Sequence, residues 1–273
     1  MLRQRILTSA ILIPLVVWAI LGLSTQHLAL VLAAITLLGA LEWARLAGVE
    51  ECAHRTVYAL LIGVGIGSLA WLMRDPAVTR ILLGLAALWW LAMLIRVIRY
   101  RARPATHGFS LQRAAIGLPT LLSFWLGGVV LHRSPGLGPG LLLFLMVLIW
   151  VVDSSAYLGA RRWGRRPLAP ALSPGKTREG AYAACAGGLV CAVTMGLWQG
   201  YGWPTLLAFM ALCLVVTLFS MVGDLVESMM KRQGGFKDSG NLLPGHGGVL
   251  DRIDSLTAAA PLFTFGMLAV TGL

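Results

Sequence analysis

Ser228–Asp254 reads SMMKRQGGFKDSGNLLPGHGGVLDRID. Four cations (Lys231, Arg232, Lys237, Arg252) and three carboxylates (Asp238, Asp251, Asp254) crowd around a Gly-His-Gly-Gly turn, Gly245–Gly248. Asp224, Glu227 and Ser228 lead into this stretch from the end of a long apolar run, and a second apolar run follows it. Placing one charge at the centre of a bilayer costs about 2.5–3.5 kcal/mol. These charges therefore lie in water at a membrane edge. They are either solvated helix ends or a site for a multiply charged substrate.

Composition fixes the class. The chain has 273 residues, 58% of them hydrophobic and only 12% charged, with mean hydropathy +0.81. A soluble domain carries about 25% charged residues. The expected fold is an all-α polytopic membrane protein. The net charge of +11 would suggest nucleic acid in a soluble protein. Here it reads as the cytoplasmic Lys/Arg excess of a membrane protein, with attraction to anionic lipid or nucleotide phosphate as a consequence. No nucleic-acid partner is expected. Cys52, Cys185, Cys191 and Cys213 form no Cys-x-x-Cys pair and sit beside no His cluster. They read as small packing residues rather than a disulfide framework or zinc site.

A span needs about 20 apolar residues. Nine runs qualify or nearly do: Ile6–Leu23, Leu28–Leu46, Val57–Met73, Ile81–Ile95, Ala114–Leu131, Gly140–Val152, Ala181–Leu197, Leu206–Val222 and Leu256–Leu273. The first is long for the apolar region of a signal peptide, and no small-x-small cleavage pattern follows it, so it is expected to be a span. The sixth is short and is expected to start near Leu137 or to extend past Asp153. With the N-terminus in the cytoplasm and alternating sides, every Lys and Arg except Arg74, Arg80 and Arg133 falls inside, as the positive-inside rule asks. The C-terminus then lies outside. No repeat or second domain is visible. Residues 1–273 read as one integral membrane domain, with N-terminal spans in 1–135. The C-terminal part, 136–273, carries two polar segments, 153–180 and 224–255. Both polar segments fall inside.

If the eighth span continues as helix, Asp224, Glu227, Ser228 and Lys231 sit at i, i+3, i+4 and i+7 and share one face. Such a stripe suits an ion or phosphate site, or a solvated end with internal ion pairs. Asp251 and Asp254 are three apart at the start of the last span. Carboxylates there favour the positive end of the helix dipole, and they also suit Mg²⁺, which takes oxygen ligands from one or two carboxylates and substrate phosphates. Gly245, Gly247 and Gly248 let the backbone approach a bound group and turn its N–H groups toward phosphate. His246 either donates to phosphate or fixes the turn.

The other polar segment runs from Asp153 as DSSAYLGARRWGRRPLAPALSPGKTREG. Ser173–Thr177 echoes the end of a Walker A motif, but position 170 is Pro where that motif requires Gly. Its cations are a positive-inside loop or, with Lys176, Thr177 and Arg178, phosphate contacts. Asp153 and Tyr157, one helical turn apart, point toward the same site. Glu42 sits near the inner end of the second span and can pair with Arg45. Trp43, Trp71 and Trp150, near span ends, read as interfacial anchors.

The tail segment resembles the signature of the phosphatidate cytidylyltransferases, or CDP-diacylglycerol synthases. The matching residues are Ser228, Lys231-Arg232, Lys237-Asp238, Pro244, His246-Gly247-Gly248 and Asp251-Arg252-Ile253-Asp254. Asp153, Ala156-Tyr157, Gly159, Leu168, Pro170, Ser173–Thr177 and Glu179-Gly180 resemble the second polar region of the same family. The resemblance implies that CTP and phosphatidic acid give CDP-diacylglycerol and pyrophosphate, with Mg²⁺ and a second, monovalent cation such as K⁺. Under it, Asp224 and Asp251 are the first choices as metal ligands, followed by Asp254 and Asp153. Lys231, Arg232, Lys237 and Arg252 hold phosphates, helped by Lys176, Thr177 and Arg178, and Gly247 and Gly248 offer backbone donors. The family's habit and the base rate for oligomers imply a homodimer. The expected location is the bacterial inner membrane, with the site facing the cytoplasm.

A transporter would carry charges at the midplane, often with an inverted repeat; here they cluster at one face. A different lipid-phosphate enzyme, such as a polyprenol kinase or an ether-lipid synthase, would share the architecture but not the His-Gly-Gly and Asp-Arg-x-Asp arrangement. A structural scaffold leaves the paired acidic and basic clusters unexplained.

Overall fold

The structure, a computed structural model, describes residues 2–102, 104–106, 108–240 and 247–271. Among them the chain forms α1 (Leu2–Gly22), α2 (Thr25–Leu46), α3 (Cys52–Leu72), α4 (Pro76–Ile98), α5 (Leu111–His132) and α6 (Gly138–Trp163). A hairpin, β1 (Pro167–Ala169) and β2 (Ser173–Thr177), follows, then α7 (Arg178–Trp198), α8 (Trp203–Gly234) and α9 (Leu250–Thr271). The helices from α2 to α9 are each long and apolar enough to cross a membrane, and the described apolar part of α1 is Ala10–Gly22. The protein is a polytopic, all-helical membrane protein, and the helix order follows the expected spans.

Two helices are longer than their apolar runs. At 1.5 Å per residue, the 32 residues of α8 reach about 48 Å. The 26 residues of α6 reach about 39 Å. The hydrocarbon core is about 30 Å thick. The apolar run of α8 ends at Val222. The helix runs on because Asp224, Glu227, Ser228 and Lys231 are spaced to pair along it. It stops at Gly235, which takes φ 76°. Phe236 N–H then donates back to Lys231 C=O at 2.8 Å, a Schellman-type closure that only a residue at ease with positive φ permits.

Helices α5 and α9 form the centre. In their apolar windows 78% and 67% of residues are buried, against 22% for α3 and for α4. They touch backbone to backbone at Gly127, where a side chain would strike Ala260 and Pro261. Thr264 Oγ1 donates to Gly127 C=O at 2.9 Å across this contact. Small residues and interhelical hydrogen bonds are how helices associate without a hydrophobic driving force between them. The pair α8 and α9 follows the same rule at Gly223, whose Cβ position is filled by Asp254 C=O. Phe144, Phe209 and Phe263 stack between α6, α8 and α9, with ring centroids 5.5–6.3 Å apart.

Three side chains differ from their expected roles. Trp43 is 1% exposed and donates its indole N–H to Arg113 C=O at 2.8 Å. It is an internal brace, not an interfacial anchor; Trp71, 66% exposed, fits that role. Arg113, expected simply to be an inner-face cation, is 2% exposed and donates to Gly108 C=O at 2.7 Å and Thr106 C=O at 3.2 Å. Cys52 is exposed at the start of α3 rather than packed, and all four cysteines are free thiols.

Candidate active site

The C-terminal ends of α6 and α8 and the start of α9 meet the hairpin in one cluster of polar side chains. On α8 the expected stripe is realised as two i,i+4 pairs. Ser228 Oγ donates to Asp224 Oδ1 at 3.3 Å. Lys231 Nζ donates to Glu227 Oε2 at 2.7 Å. The same ammonium reaches across to Asp251 Oδ1 on α9 at 2.8 Å. Glu227 is 2% exposed, and its Oε1 has no hydrogen-bond partner.

Two turns back along α8, Asp224 is the hub of a second group. The hairpin delivers Lys176 to it as an ion pair. Asp254 on α9 lies in the field of Asp224, Lys176 and Asp153. Asp153 on α6 lies in the field of Asp224, Lys176 and Arg252. Three helices and one hairpin thus bring three carboxylates and two cations together. Asp251 occupies a different rung. Lys231, its partner on α8, stands seven residues from Asp224, a rise of about 10 Å.

The hairpin is fastened to α8 a second time, where Arg232 Nε donates to Leu172 C=O at 3.3 Å. Leu172 is 2% exposed and anchors the turn. In the Walker-like segment, Ser173–Thr177 is a strand rather than a phosphate loop. Thr177 Oγ1 caps α7 by accepting Gly180 N–H at 3.1 Å. Arg178 opens that helix, with its N–H on Arg166 C=O at 2.9 Å.

The entrance to α9 is tied by a network that spacing does not reveal. Asp251 Oδ2 accepts Gly248 N–H at 2.8 Å and Ser239 Oγ–H at 2.8 Å. The backbone N–H of Ser239 adds a bond at 3.3 Å. Gly247 has φ 83°, and a Cβ there would press on Asp251. Glu42 of α2 is not paired with Arg45. Its carboxylate accepts Val249 N–H at 3.0 Å and Leu250 N–H at 2.8 Å. Arg45 instead lies 4.9 Å over the Phe236 ring.

Lys237 and Arg252 are exposed, and Tyr157 is exposed on α6 one turn beyond Asp153. Pro244, Gly245 and His246 lie outside the described residues. Among the described residues, no three acidic, histidine or cysteine side chains close on one point as a complete ion cage. The donor set nonetheless suits a hard cation that shares its shell with phosphates. The Asp153–Asp224–Asp254 group carries a formal surplus of negative charge over Lys176 and Arg252, and Glu227 offers an unpartnered oxygen nearby.

The model of the Cytidylyltransferase family matches residues 3–270. The chain belongs to the cytidylyltransferase family. A protein of Pseudomonas aeruginosa named phosphatidate cytidylyltransferase is 43% identical over 263 residues, 96% of each chain. A protein of that name from Haemophilus influenzae is 36% identical, over 97% of this chain and 98% of its own. One from Brucella abortus is 47% identical over 132 residues, 46% of this chain and 47% of its own. The match to this family of enzymes runs the length of the chain, so it takes in the N-terminal helices as well as the two polar segments.

In this cytidylyltransferase, Ser239 and the partners of Glu42 are site features that residue spacing does not point to. Ser239 had one available signal: it directly follows Lys237-Asp238. The Glu42 partners had none, because they lie 207 and 208 residues away.

Proposed function

We propose that this chain condenses CTP with phosphatidic acid to give CDP-diacylglycerol and pyrophosphate. The observation that carries the reading is the convergence of Asp153, Asp224 and Asp254 with Lys176 and Arg252 at one end of a membrane bundle. A nucleoside triphosphate comes from water and a phosphatidate head group from the leaflet, and charged side chains at the end of a membrane helix bundle suit both. The names of its relatives point the same way.

In this reading an oxygen of the phosphatidate phosphate attacks the α-phosphorus of CTP. The new phosphoanhydride bond forms as the α–β bond breaks, and pyrophosphate leaves with that electron pair. The phosphate nucleophile is already ionised, so no general base is required. The work of the protein is to position two anions and neutralise their repulsion. Lys176, Arg252, Lys237 and Arg232 take the phosphates. Asp224, with Asp254 and Asp153, would hold Mg²⁺, while Asp251, two helical turns along, is tied to Lys231. Bound Mg²⁺ supplies charge neutralisation on the triphosphate. A monovalent cation such as K⁺ is the second ion proposed.

The site faces the cytoplasm in this reading, supported by the Lys and Arg distribution among the loops. The bacterial relatives support the inner membrane. The assembly proposed is a homodimer, the commonest closed arrangement.

The test is the fate of label. Purified protein in lipid vesicles receives phosphatidate, Mg²⁺ and CTP labelled at the α- or the γ-phosphate. The expected result is α-label in the organic phase and γ-label in released pyrophosphate. Unchanged CTP, or γ-label in the lipid, would overturn the reading in favour of a transporter or a lipid kinase.

A further inference from the structure

We infer that Glu42, on a helix that contributes none of the cluster carboxylates, is a positioning residue that fixes Asp251 and the first turn of α9 for the transfer reaction. This deepens the function proposed above and rests on it.

Glu42 is 9% exposed, and both of its oxygens are engaged. Oε1 accepts Val249 N–H at 3.0 Å, and Oε2 accepts Leu250 N–H at 2.8 Å. These are among the first N–H groups of α9, which have no partner within the helix. A carboxylate also meets the positive end of the helix dipole there. Helix starts are ordinarily capped by a nearby residue of the same segment. Here the cap comes from α2.

The cap is shared with Asp251. Ser239 Oγ lies 3.3 Å from Glu42 Oε2 and 2.8 Å from Asp251 Oδ2. One hydroxyl hydrogen serves two carboxylates, and the shorter contact takes it. Gly248 N–H goes to Asp251 while the next two N–H groups go to Glu42. The two acids therefore divide three successive backbone donors between them. Gly240 and Gly248 leave no room for a side chain, because a Cβ at either would collide with Glu42. Gly240 and Gly248 both lie against this carboxylate. Moving Glu42 moves the backbone that aims Asp251 Oδ2, and with it the oxygen that Lys231 shares.

A cap that only holds the fold together would be felt in stability alone. A positioning role predicts a split in the kinetics. Glu42→Gln keeps the shape but turns an NH₂ group toward a backbone N–H. The expected loss in kcat is about 10- to 100-fold, the range for residues that orient a ligand rather than supply one. KM for CTP stays within about twofold, because the triphosphate contacts are untouched. Ser239→Ala gives a smaller loss. The double variant is less impaired than the product of the two single effects, because both act through Asp251.

Hydrogen exchange provides a readout independent of turnover. In Glu42→Gln, protection falls at Ser239 and at Gly248–Leu250 and stays unchanged on α3 and α4. Loss of protection there with no transfer activity even in the wild type would uphold the geometry and overturn the function on which the catalytic role depends. A lower melting temperature with unchanged kcat, or losses that multiply in the double variant, would overturn the positioning role. If Glu42→Gln does not fold, Ser239→Ala decides alone. Reduced kcat at unchanged stability supports the inference, and unaltered kcat overturns it.

Discussion

Lys231 Nζ donates to Asp251 Oδ1 at 2.8 Å, tying the C-terminal end of α8 to the start of α9. The ammonium is only 13% exposed, and its other partner, Glu227, is 2% exposed. Removing one member of a buried pair is far more destabilising than replacing both. Lys231→Met is therefore expected to destabilise the protein by about 3 kcal/mol, because the buried Glu227 is left with no partner. Glu227→Gln in the same chain should recover a large part of that loss. Unfolding in detergent micelles measures both. Equal stability of the single and double variants would contradict the account.

The hairpin contact at Lys176 behaves differently. Lys176 and Asp224 are 25% and 31% exposed at their side chains, so their ion pair contributes little stability, about 0–1 kcal/mol. Lys176→Ala should leave the melting temperature nearly unchanged and lower turnover by roughly two to three orders of magnitude, the scale for losing one donor to developing charge. Melting and activity measured on the same preparation check this. A large fall in melting with normal turnover of the folded fraction would assign Lys176 to structure.

Gly223 sets how closely α8 approaches α9. Gly223→Ala places a methyl group against Asp254 C=O and should cost about 1–3 kcal/mol. It should also lower activity, because it displaces Asp224 and Asp254 together. Gly140→Ala meets nothing within 4 Å and serves as the control, neutral or slightly stabilising. Comparable melting of the two variants would mean that the α8–α9 contact is looser than described.

Divalent metal is expected to be required. Chelation should stop turnover, and added Mg²⁺ should restore it, because the acidic cluster and the triphosphate otherwise repel one another. Turnover that persists in chelator would remove the metal from the account.

The parts of this site that lie on one helix were legible in the residues. Asp224, Glu227, Ser228 and Lys231 pair along α8 as their spacing requires. The Gly247-Gly248 turn lies against Asp251 as glycine chemistry suggests. What joins distant segments was not legible. Nothing local links Lys176 to Asp224, because the hairpin that carries it is built from a Pro-rich stretch with no strand pattern. Glu42 looked like a partner for Arg45 because helical spacing is visible and a contact across 207 residues is not. Trp43 looked like an interfacial anchor because depth is read from sequence position, whereas its burial depends on α5 packing over it. That Asp254 lies in the field of Asp224 while Asp251 is tied to Lys231 follows from the rung at which α8 meets α9. Gly223 sets that rung, and hydropathy does not report it.

Asp224 is the residue on which the other cluster groups converge, so replacing it is the most direct test. Asp224→Asn keeps size and the Ser228 contact while removing the charge. The measurement is transfer of α-labelled CTP into phosphatidate in vesicles, with melting followed in parallel. The account predicts a well-folded protein whose turnover falls by about a thousandfold or more. A folded Asp224→Asn protein that transfers label at the wild-type rate would contradict it.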